Sequence, residues 1–534
     1  MNMRLIYILI ALSLGSSSCK SFLDTEPTDF VTPSYKTVND FDLALAGVYD
    51  ILGNRTFYGD VWPYWLNVST DIEYTNTGSS NATVYIYGPA EANVTDFWKV
   101  LYNGIYRANL ILDVIDDTDL ADGPKNRIKG QALFLRAYYY FMLVSNYGDV
   151  PLYLTVKPSI NQMDVPRTPM REVYDLVIAD MLEAEQLVDE VAGGNTEATV
   201  NFGGRVSRSA VQGILARVYL KMAGYPLMDR AKYADALKWS LAVRNSGLHS
   251  LNPDYSDVFI KYAKDEYDIR ESIWEVEFYG NTQGAMQEYT YYIGARGGIR
   301  TQDAELGRSG GLINGSGKLF DLYELDPNST AVPLKASLDL RRDWNLAPYT
   351  YVGTPGVKTP NNDRWRRNMG KWRREYEVVS PKDISTSPQN FPILRYADVL
   401  LMAAEAENEL NGPDNAYTYI NEVRRRAYGL LLPQPPHAGV DADLPADLTK
   451  DEFREMIKDE RAREFCFEAS RRTDLIRWGN FVGDMKNYIA WALANGGVEG
   501  HVLGSRNVSD RNVLLPIPTY DMALNKALTQ NPGY

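Results

Sequence analysis

The 534-residue sequence is poor in the side chains that most often build metal centres or cross-links. It contains two cysteines and three histidines. His249, His437 and His501 lie far apart and show no metal-ligand spacing. Cys19 and Cys466 are the two cysteines, and Cys466 stands between two phenylalanines as a buried free thiol would. We therefore expect no metal centre, no cofactor and a fold held by its core without disulfides.

An excess of positive charge is also missing. The chain has 55 Lys and Arg against 69 Asp and Glu, for a net charge of −14. Nucleic-acid binders need basic faces that release counterions, so this balance argues against nucleic acid as a partner. It argues equally against a surface that lies on an anionic bilayer. After residue 14 no uninterrupted apolar run is long enough to span a membrane.

Signatures of catalysis are absent as well. Glu405 and Glu407 are paired carboxylates, but a separation of two residues points them to different faces of a helix. Gly315–Lys318 is similar to a phosphate-binding loop, yet Leu319 stands where a Ser or Thr is required. The sequence therefore predicts a protein that is not an enzyme.

The first residues have the pattern of an export signal. A positive charge at Arg4 precedes the apolar run Leu5–Leu14, and small residues lead directly to Cys19. Small residues before a cysteine are similar to a bacterial lipobox, in which the cysteine is lipidated and becomes the first mature residue. We expect a signal peptide over residues 1–18 and lipidation of Cys19, which anchors the protein to a membrane. The alternative is an ordinary signal peptide with an incidental cysteine.

Helical periodicity dominates most of the remaining chain. Residues 19–37 are the lipidated cysteine and a polar tether, followed by a helix near 38–52 with N-caps offered by Asn39 and Asp40. Apolar spacings of three and four residues predict eight more helical segments, several of them adjacent pairs: Asp96–Ile115, Asn126–Tyr147, Pro169–Val188, Ser207–Ala223, Ala231–Ser246, Ile393–Leu410, Asn415–Tyr428 and Thr449–Arg477. A final helix is expected near Asp521–Leu528.

The centre of the chain differs from both ends. Residues 252–389 are rich in Gly, Asn, Asp, Pro and aromatics, and only Ser272–Phe278 alternates as a strand would. Long loops in compact proteins are usually functional. The predicted fold is mostly α, with tetratricopeptide-like helix pairs that support a large loop-rich region containing a few short strands. We divide it into an N-terminal helical region, residues 38–250, and a C-terminal region, residues 251–534, packed together as one body.

An ordered set of segments follows Cys19 and continues to the last residue: Trp98–Asn109, Lys129–Tyr138, Asn146–Pro151, Leu394–Glu407, Glu460–Phe465, Arg471–Trp478, Leu515–Pro518 and Asn531–Tyr534. The set and its order resemble the SusD/RagB family of Bacteroidetes nutrient-uptake lipoproteins. The charged residues of these segments, such as Arg136, Glu460, Arg463, Glu464 and Arg471, are interpreted as a scaffold of ion pairs.

The resemblance implies a location, a partner and a ligand. It implies a lipid-anchored protein of the cell outer membrane that faces outside. It also implies a TonB-dependent, SusC-like outer-membrane transporter as partner, which this protein covers as a lid. The ligand that it implies is an oligosaccharide; the alternative on the same scaffold is a peptide or glycopeptide.

Two segments match the ligand-contacting parts of glycan-binding relatives. One is the loop after the first helix, with Asp60 and Tyr74; the other is residues 289–311. Sugars stack on aromatic rings and need polar partners for their hydroxyls, so the predicted ligand-binding residues combine both types: Asp60, Tyr74, Tyr289, Tyr291, Tyr292 and Arg296. We expect Tyr74, Tyr291 and Tyr292 to lie on one exposed face.

The tryptophans of the best-known glycan binders do not occur at their usual places. The one expected soon after the first Asp is absent, with Tyr74 or Thr75 nearby, and Gly310–Leu312 occupies the place of the central one. Other rings are offered by Trp344, Trp365 and Trp372. The basic cluster Arg364–Arg374 is an alternative contact for the partner transporter.

Overall fold

The computed structural model describes residues 35–76, 82–156, 164–190, 204–282, 292–437 and 439–534. Within these ranges no helix combines the length and the apolar character that crossing a membrane would require. The expected signal peptide, Cys19 and most of the tether lie outside the described residues. The described part is mostly helical, and the prediction of a mostly α fold is confirmed.

Seventeen α-helices occur within the described ranges. In chain order they are α1 Val38–Gly53, α2 Ala92–Ile115, α3 Asp122–Tyr147, α4 Met170–Leu187, α5 Arg208–Ala223, α6 Lys232–Asn245, α7 Tyr255–Lys264, α8 Ile293–Gly297, α9 Gly317–Leu322, α10 Arg341–Asn345, α11 Tyr396–Asn411, α12 Pro413–Ala427, α13 Lys450–Phe465, α14 Arg471–Arg477, α15 Phe481–Ala494, α16 Leu503–Asn507 and α17 Thr519–Leu524.

The first helix, α1, shows how local sequence sets these boundaries. The hydroxyl of Thr37 accepts from the backbone N–H of Asp40, and the Asp40 carboxylate accepts from the N–H of Thr37. This reciprocal capping box satisfies backbone donors that the first turn leaves free. The expected caps Asn39 and Asp40 are therefore wrong, because both lie inside the helix and Thr37 is the N-cap.

The long helices pack on their neighbours in chain order. Contacts join α1 to α2, α2 to α3, α3 to α4, α4 to α5 and α5 to α6, and α6 then packs on α11 beyond the loop-rich centre. Close approach depends on small residues: a Cβ at Gly104 of α2 would lie 2.5 Å from ring atoms of Tyr139 in α3. Gly104 therefore allows the two helices to pack at this separation.

Among the residues that the structure describes, six short strands form three separate antiparallel pairs. They are β1 Glu73–Thr75 with β3 Ile313–Gly315, β2 Ser272–Val276 with β6 Phe391–Arg395, and β4 Tyr349–Val352 with β5 Val357–Pro360. The first pair brings the loop after α1 next to the centre of the chain. The few short strands expected in the loop-rich region are present.

Two predicted helices are divided in the structure. The segment Ile393–Leu410 begins as strand β6, and its helix, α11, starts only at Tyr396. The segment Thr449–Arg477 consists of α13 and α14, separated by a turn in which Phe467 and Ala469 have positive φ. This turn lets the backbone N–H of Phe467 donate to the buried carboxylate of Glu73 at 2.8 Å. The break between α13 and α14 therefore coincides with a contact to Glu73, which lies nearly 400 positions away in the chain.

The hydrophobic core is continuous between the two ends of the chain. One cluster contains Phe41 and Leu45 of α1, Tyr139 of α3, Leu400 of α11 and Leu528 near the C-terminus. Its aromatic content explains much of the tyrosine enrichment, since many of the 37 tyrosines are buried with their hydroxyls bonded to backbone carbonyls.

Candidate functional site

The candidate site is built on the loop that follows α1. Here the chain makes two π-helical turns, Arg55–Gly59 and Val61–Trp65, with Asp60 between them. A Cβ at position 59 would lie 2.9 Å from the carbonyl oxygens of Gly53 and Asn54, so the tight turn requires glycine. This geometry places the side chain of Asp60 inside the loop, where it is only 1% exposed.

The carboxylate of Asp60 is surrounded by donors. Its Oδ2 accepts from Arg296 Nη2 at 3.0 Å and from Trp65 Nε1 at 3.1 Å. Arg296 Nε lies 3.0 Å from Oδ1 as an ion-pair contact, and Arg55 Nε lies 3.5 Å from Oδ2. Burial raises the pKa of Asp60 and outweighs the opposite effect of Arg296. The carboxylate thus fixes the orientation of two arginines and one indole.

Tyr292 lies between the two arginines. The guanidinium carbon of Arg55 is 4.8 Å from the centre of the Tyr292 ring, and that of Arg296 is 5.2 Å away. Arg296 also lies 5.3 Å from the ring of Tyr64 and 5.5 Å from that of Trp65. These cation–π contacts hold rings and guanidiniums in one cluster.

The backbone joins the two halves of this cluster. The N–H of Tyr292, the residue that precedes α8, donates to the carbonyl of Gly59 at 2.9 Å. This bond places α8, and with it Arg296, against the loop after α1. Tyr292 and Trp65 are each partly exposed, and the Arg55 side chain is 60% exposed. The arrangement presents ring surface and guanidinium donors to a ligand at the protein surface.

Three of the predicted ligand residues are therefore close together: Asp60, Tyr292 and Arg296 are in contact or share partners. Tyr289 and Tyr291 lie outside the described residues, which resume at Tyr292. The expectation that Tyr74 is exposed is wrong. Tyr74 belongs to strand β1 and is 6% exposed, and its hydroxyl donates to the carbonyl of Trp365. Pairing with β3 turns this tyrosine into the interior.

Sequence reasoning missed three members of the cluster, namely Arg55, Tyr64 and Trp65. Trp65 lies five residues after Asp60 and donates to its carboxylate. A tryptophan and a tyrosine so close to Asp60 were the available signal, and Trp65 corrects the expectation that no tryptophan follows the matched aspartate. The sequence contains no comparable signal for Arg55, because its position over Tyr292 depends on a contact between segments more than 230 residues apart.

The alternative rings are not available at the surface. Trp344, Trp365 and Trp372 are all buried. The basic cluster Arg364–Arg374 also turns mostly inward: the Arg373 guanidinium lies 3.9 Å over the Trp344 ring, and Arg374 pairs with Glu377 at 2.8 Å. The prediction that this cluster contacts the transporter as a free surface is therefore wrong, although the side chain of Arg366 is 76% exposed.

The charged residues of the matched segments are paired, as predicted, and the structure shows that they are also buried. Arg136 binds Asp180 at 2.8 Å, and Arg463 binds Glu460 one helical turn away at 2.8 Å. The partner of Arg471, however, is not on its own helix. It is Asp71 in the loop after α1, with two contacts of 2.8 Å.

The described part of the chain contains no cluster of three or more His, Cys, Asp or Glu side chains suited to a metal ion. Glu405 accepts from Arg477, and Glu407 accepts from Asn411 and Asn415 at 3.0 Å, so the two carboxylates serve separate structural contacts. Lys318 of the rejected phosphate loop is bound to Asp71 at 2.7 Å.

The described helices thus support a loop-built surface that is rich in aromatic and cationic side chains. Sequence comparison identifies the family. A profile described as "SusD family" matches residues 270–534, and one described as "Starch-binding associating with outer membrane" matches residues 22–220. The chain belongs to the SusD family.

Individual relatives agree with this assignment. The chain is 28% identical to SusD-like protein P25 of Formosa agariphila over the full length of both chains. It is 31% identical to the starch-binding protein SusD of Bacteroides thetaiotaomicron, with 85% of this chain and 79% of the relative covered. A crystal structure of a SusD homolog from Bacteroides thetaiotaomicron superposes with a TM-score of 0.81 at 27% identity, and covers 94% of this chain and 98% of that chain.

Proposed function

We propose that this protein binds oligosaccharide at the cell surface and delivers it to a TonB-dependent, SusC-like transporter of the outer membrane, without chemical change to the sugar. The ligand-binding surface is the cluster of Arg55, Asp60, Trp65, Tyr292 and Arg296. Tyr289 and Tyr291 lie just before Tyr292 in the chain and are predicted to extend the cluster.

One observation carries the proposal: a buried carboxylate fixes two arginines around partly exposed rings at the protein surface. Sugar rings present C–H faces that stack on aromatic side chains, and their hydroxyls accept from guanidinium groups. The family description and the starch-binding relative support a glycan as the ligand. A peptide or glycopeptide is the second candidate, since backbone carbonyls also accept from arginine.

An array of glycans and peptides, probed with the purified mature protein, separates these candidates. We expect binding to a set of related oligosaccharides and no binding to peptides. The bound oligosaccharide is then incubated with a large molar amount of protein, and its chain length is measured. Unchanged length agrees with a binding protein, whereas shortened products that persist through further purification contradict it. Binding to peptides alone would replace the glycan with the second candidate.

The membrane anchor is proposed from the residues before Cys19. Cys19→Ala removes the thiol to which lipid would be attached, so we expect the variant to leave the membrane fraction. Cys466→Ala provides the matched control, because this second thiol is buried in the core. The comparison is made in cells that lack the partner transporter, so that protein contacts do not retain the variant. A Cys19→Ala protein that still sediments with outer membranes contradicts the anchor.

A further inference from the structure

A cavity with several charged side chains in its lining lies where the N-terminal helices meet the C-terminal region. It has a volume of about 110 Å³ and is lined by parts of α3, α5, α11 and α14. Tyr58 and Trp62, close to Asp60 in the chain, form another part of its wall. Drug-sized ligands occupy pockets of about 300–1,000 Å³, so this space suits a few waters or a small ion and not an oligosaccharide.

Lys221, in the last turn of α5, lines this cavity without a counter-ion. Its side chain is buried, with 3% of the residue exposed. Within the described ranges no carboxylate lies within ion-pair distance of its ammonium group, and no hydrogen bond to it is formed. Arg472 on the same cavity donates to the carbonyl of Asn512 at 2.7 Å, but its Nε has no hydrogen-bond acceptor in the described structure.

The carboxylates around the cavity are already bound to other arginines. Asp398 accepts from Arg217 and Arg461, each at 2.7 Å. Asp474 accepts from Arg461 at 2.7 Å and from Arg477 at 2.8 Å.

Glu468, the remaining carboxylate of the lining, is bound to Arg395 at 2.8 Å and to Lys371 at 2.6 Å. The cavity therefore has more positive than negative groups, and the excess is at Lys221 and Arg472. A buried charge is normally paired, because removal of an ion from water is costly.

The protonation of Lys221 reflects this environment. Burial lowers its pKa to about 7, with a further contribution from the charges of Arg477 and Arg472. A small anion beside Lys221 would stabilise its charged ammonium form. It would also supply the negative partner that the carboxylates of this region do not provide.

We propose that this cavity is a binding site for one small inorganic anion, such as chloride, held by the ammonium group of Lys221, with the positive charge of Arg472 nearby, at the junction of the N-terminal helices and the C-terminal region. The site is separate from the glycan-binding surface, and anion binding there does not depend on the identity of the sugar. The competing occupant is water beside a neutral lysine.

The direct test is crystallography with bromide, which replaces chloride and gives an anomalous signal. Crystals of the mature protein grown in sodium bromide near pH 6 should show an anomalous peak in the cavity, within hydrogen-bonding reach of Lys221 Nζ. A cavity that contains only water at high bromide concentration overturns the proposal. This experiment needs no variant, so it decides the question even where a substitution prevents folding.

Thermal unfolding gives a second, independent readout in solution. A ligand of the folded state raises the melting temperature, so sodium chloride should give a value about 1–2 °C above that in sodium gluconate, whose anion is too large for the cavity. Ionic strength and a pH near 6 are held constant. Lys221→Met should lose this difference, whereas Lys238→Met, at an exposed position of α6, should keep it. A chloride effect that persists in Lys221→Met contradicts the proposal.

Discussion

The N-terminal region, residues 38–250, and the C-terminal region, residues 251–534, are held together by different interactions. Apolar faces of successive helices dominate the first, as between α2 and α3. Buried ion pairs are concentrated in the second, in addition to the apolar core: Glu464 alone contacts Arg341 at 2.9 Å, Arg395 at 2.8 Å and Arg426 at 2.7 Å. The apolar faces are visible as periodicity in the sequence, while the partner of each buried charge is visible only in three dimensions.

The difference affects how each region should respond to substitution. Removal of a buried carboxylate among three arginines leaves the surrounding network with additional uncompensated positive charge away from water. A substitution on an apolar helix face changes the side-chain volume at one position, and the neighbouring side chains can adjust to it. Isosteric changes in charge should therefore damage the C-terminal region more than small changes in volume damage the N-terminal helices.

The largest effect is expected for Glu464→Gln. The change keeps the shape and removes the charge that pairs with Arg341, Arg395 and Arg426, so it should lower the free energy of unfolding by about 3–5 kcal/mol. Burial opposes ionisation of Glu464, but these arginines outweigh it and lower its pKa to about 2. Its contribution is therefore present above about pH 4.5 and is lost as the pH falls toward 2.

Chemical denaturation of the wild type and the variant at neutral pH measures this loss. Glu499→Gln is the matched control, because Glu499 pairs with Arg506 at 2.5 Å on the fully exposed surface. The control should leave the denaturation midpoint unchanged. Equal effects of the two substitutions would show that burial of the charge network is not what stabilises the C-terminal region.

Glu73→Gln should produce an effect that depends on pH. Burial raises the pKa of Glu73 to about 8. Between about pH 4.5 and 8 the folded protein retains a proton that the unfolded chain releases, so the free energy of unfolding falls as the pH rises through this window. Glutamine does not titrate, and it retains an oxygen for the N–H of Phe467.

The variant should therefore match the wild type near pH 4.5 and exceed it by about 2–3 kcal/mol near pH 7, on the scale of about 1.4 kcal/mol for each pH unit. Denaturant titrations at several pH values measure the difference. A constant offset between the two proteins at every pH would show that Glu73 is ionised throughout in the folded state.

A smaller effect is expected for Gly104→Ala, which tests the packing of the N-terminal helices. The new methyl group would meet the Tyr139 ring at 2.5 Å, so stability should fall by about 1–3 kcal/mol. Gly123→Ala in α3 is the control, since no atom lies within 4 Å of its added Cβ. Thermal unfolding should separate the two, and a stabilised Gly104→Ala protein would contradict tight packing of α2 on α3.

The same contrast determines how much of the fold follows from the sequence. Apolar spacing located α2 through α6 to within about four residues, since these helices bury a continuous stripe against their neighbours. It failed between α13 and α14, where the chain breaks at Phe467 to meet Glu73. No local pattern encodes that contact, because its two residues belong to opposite ends of the sequence.

The candidate site divides in a similar way. Resemblance to the family selected Asp60, Tyr292 and Arg296, and the structure brings these three together. It also selected Tyr74, whose surroundings are set by strand pairing and not by its neighbours in sequence. Arg55 and Trp65 were missed because their role depends on contact with α8 and with the buried carboxylate.

The central claim is that the Asp60–Tyr292–Arg296 cluster binds glycan, and calorimetric titration tests it most directly. The best-binding oligosaccharide from the array is titrated into the wild type, Tyr292→Ala and Tyr106→Ala. Tyr106 is a half-exposed tyrosine of α2, outside the cluster. We predict that Tyr292→Ala weakens binding about fivefold, or about 1 kcal/mol, with a stability change below about 0.5 kcal/mol, and that Tyr106→Ala binds normally. Unchanged affinity in Tyr292→Ala, together with a lower melting temperature, would make Tyr292 a packing residue and contradict the assignment of this surface.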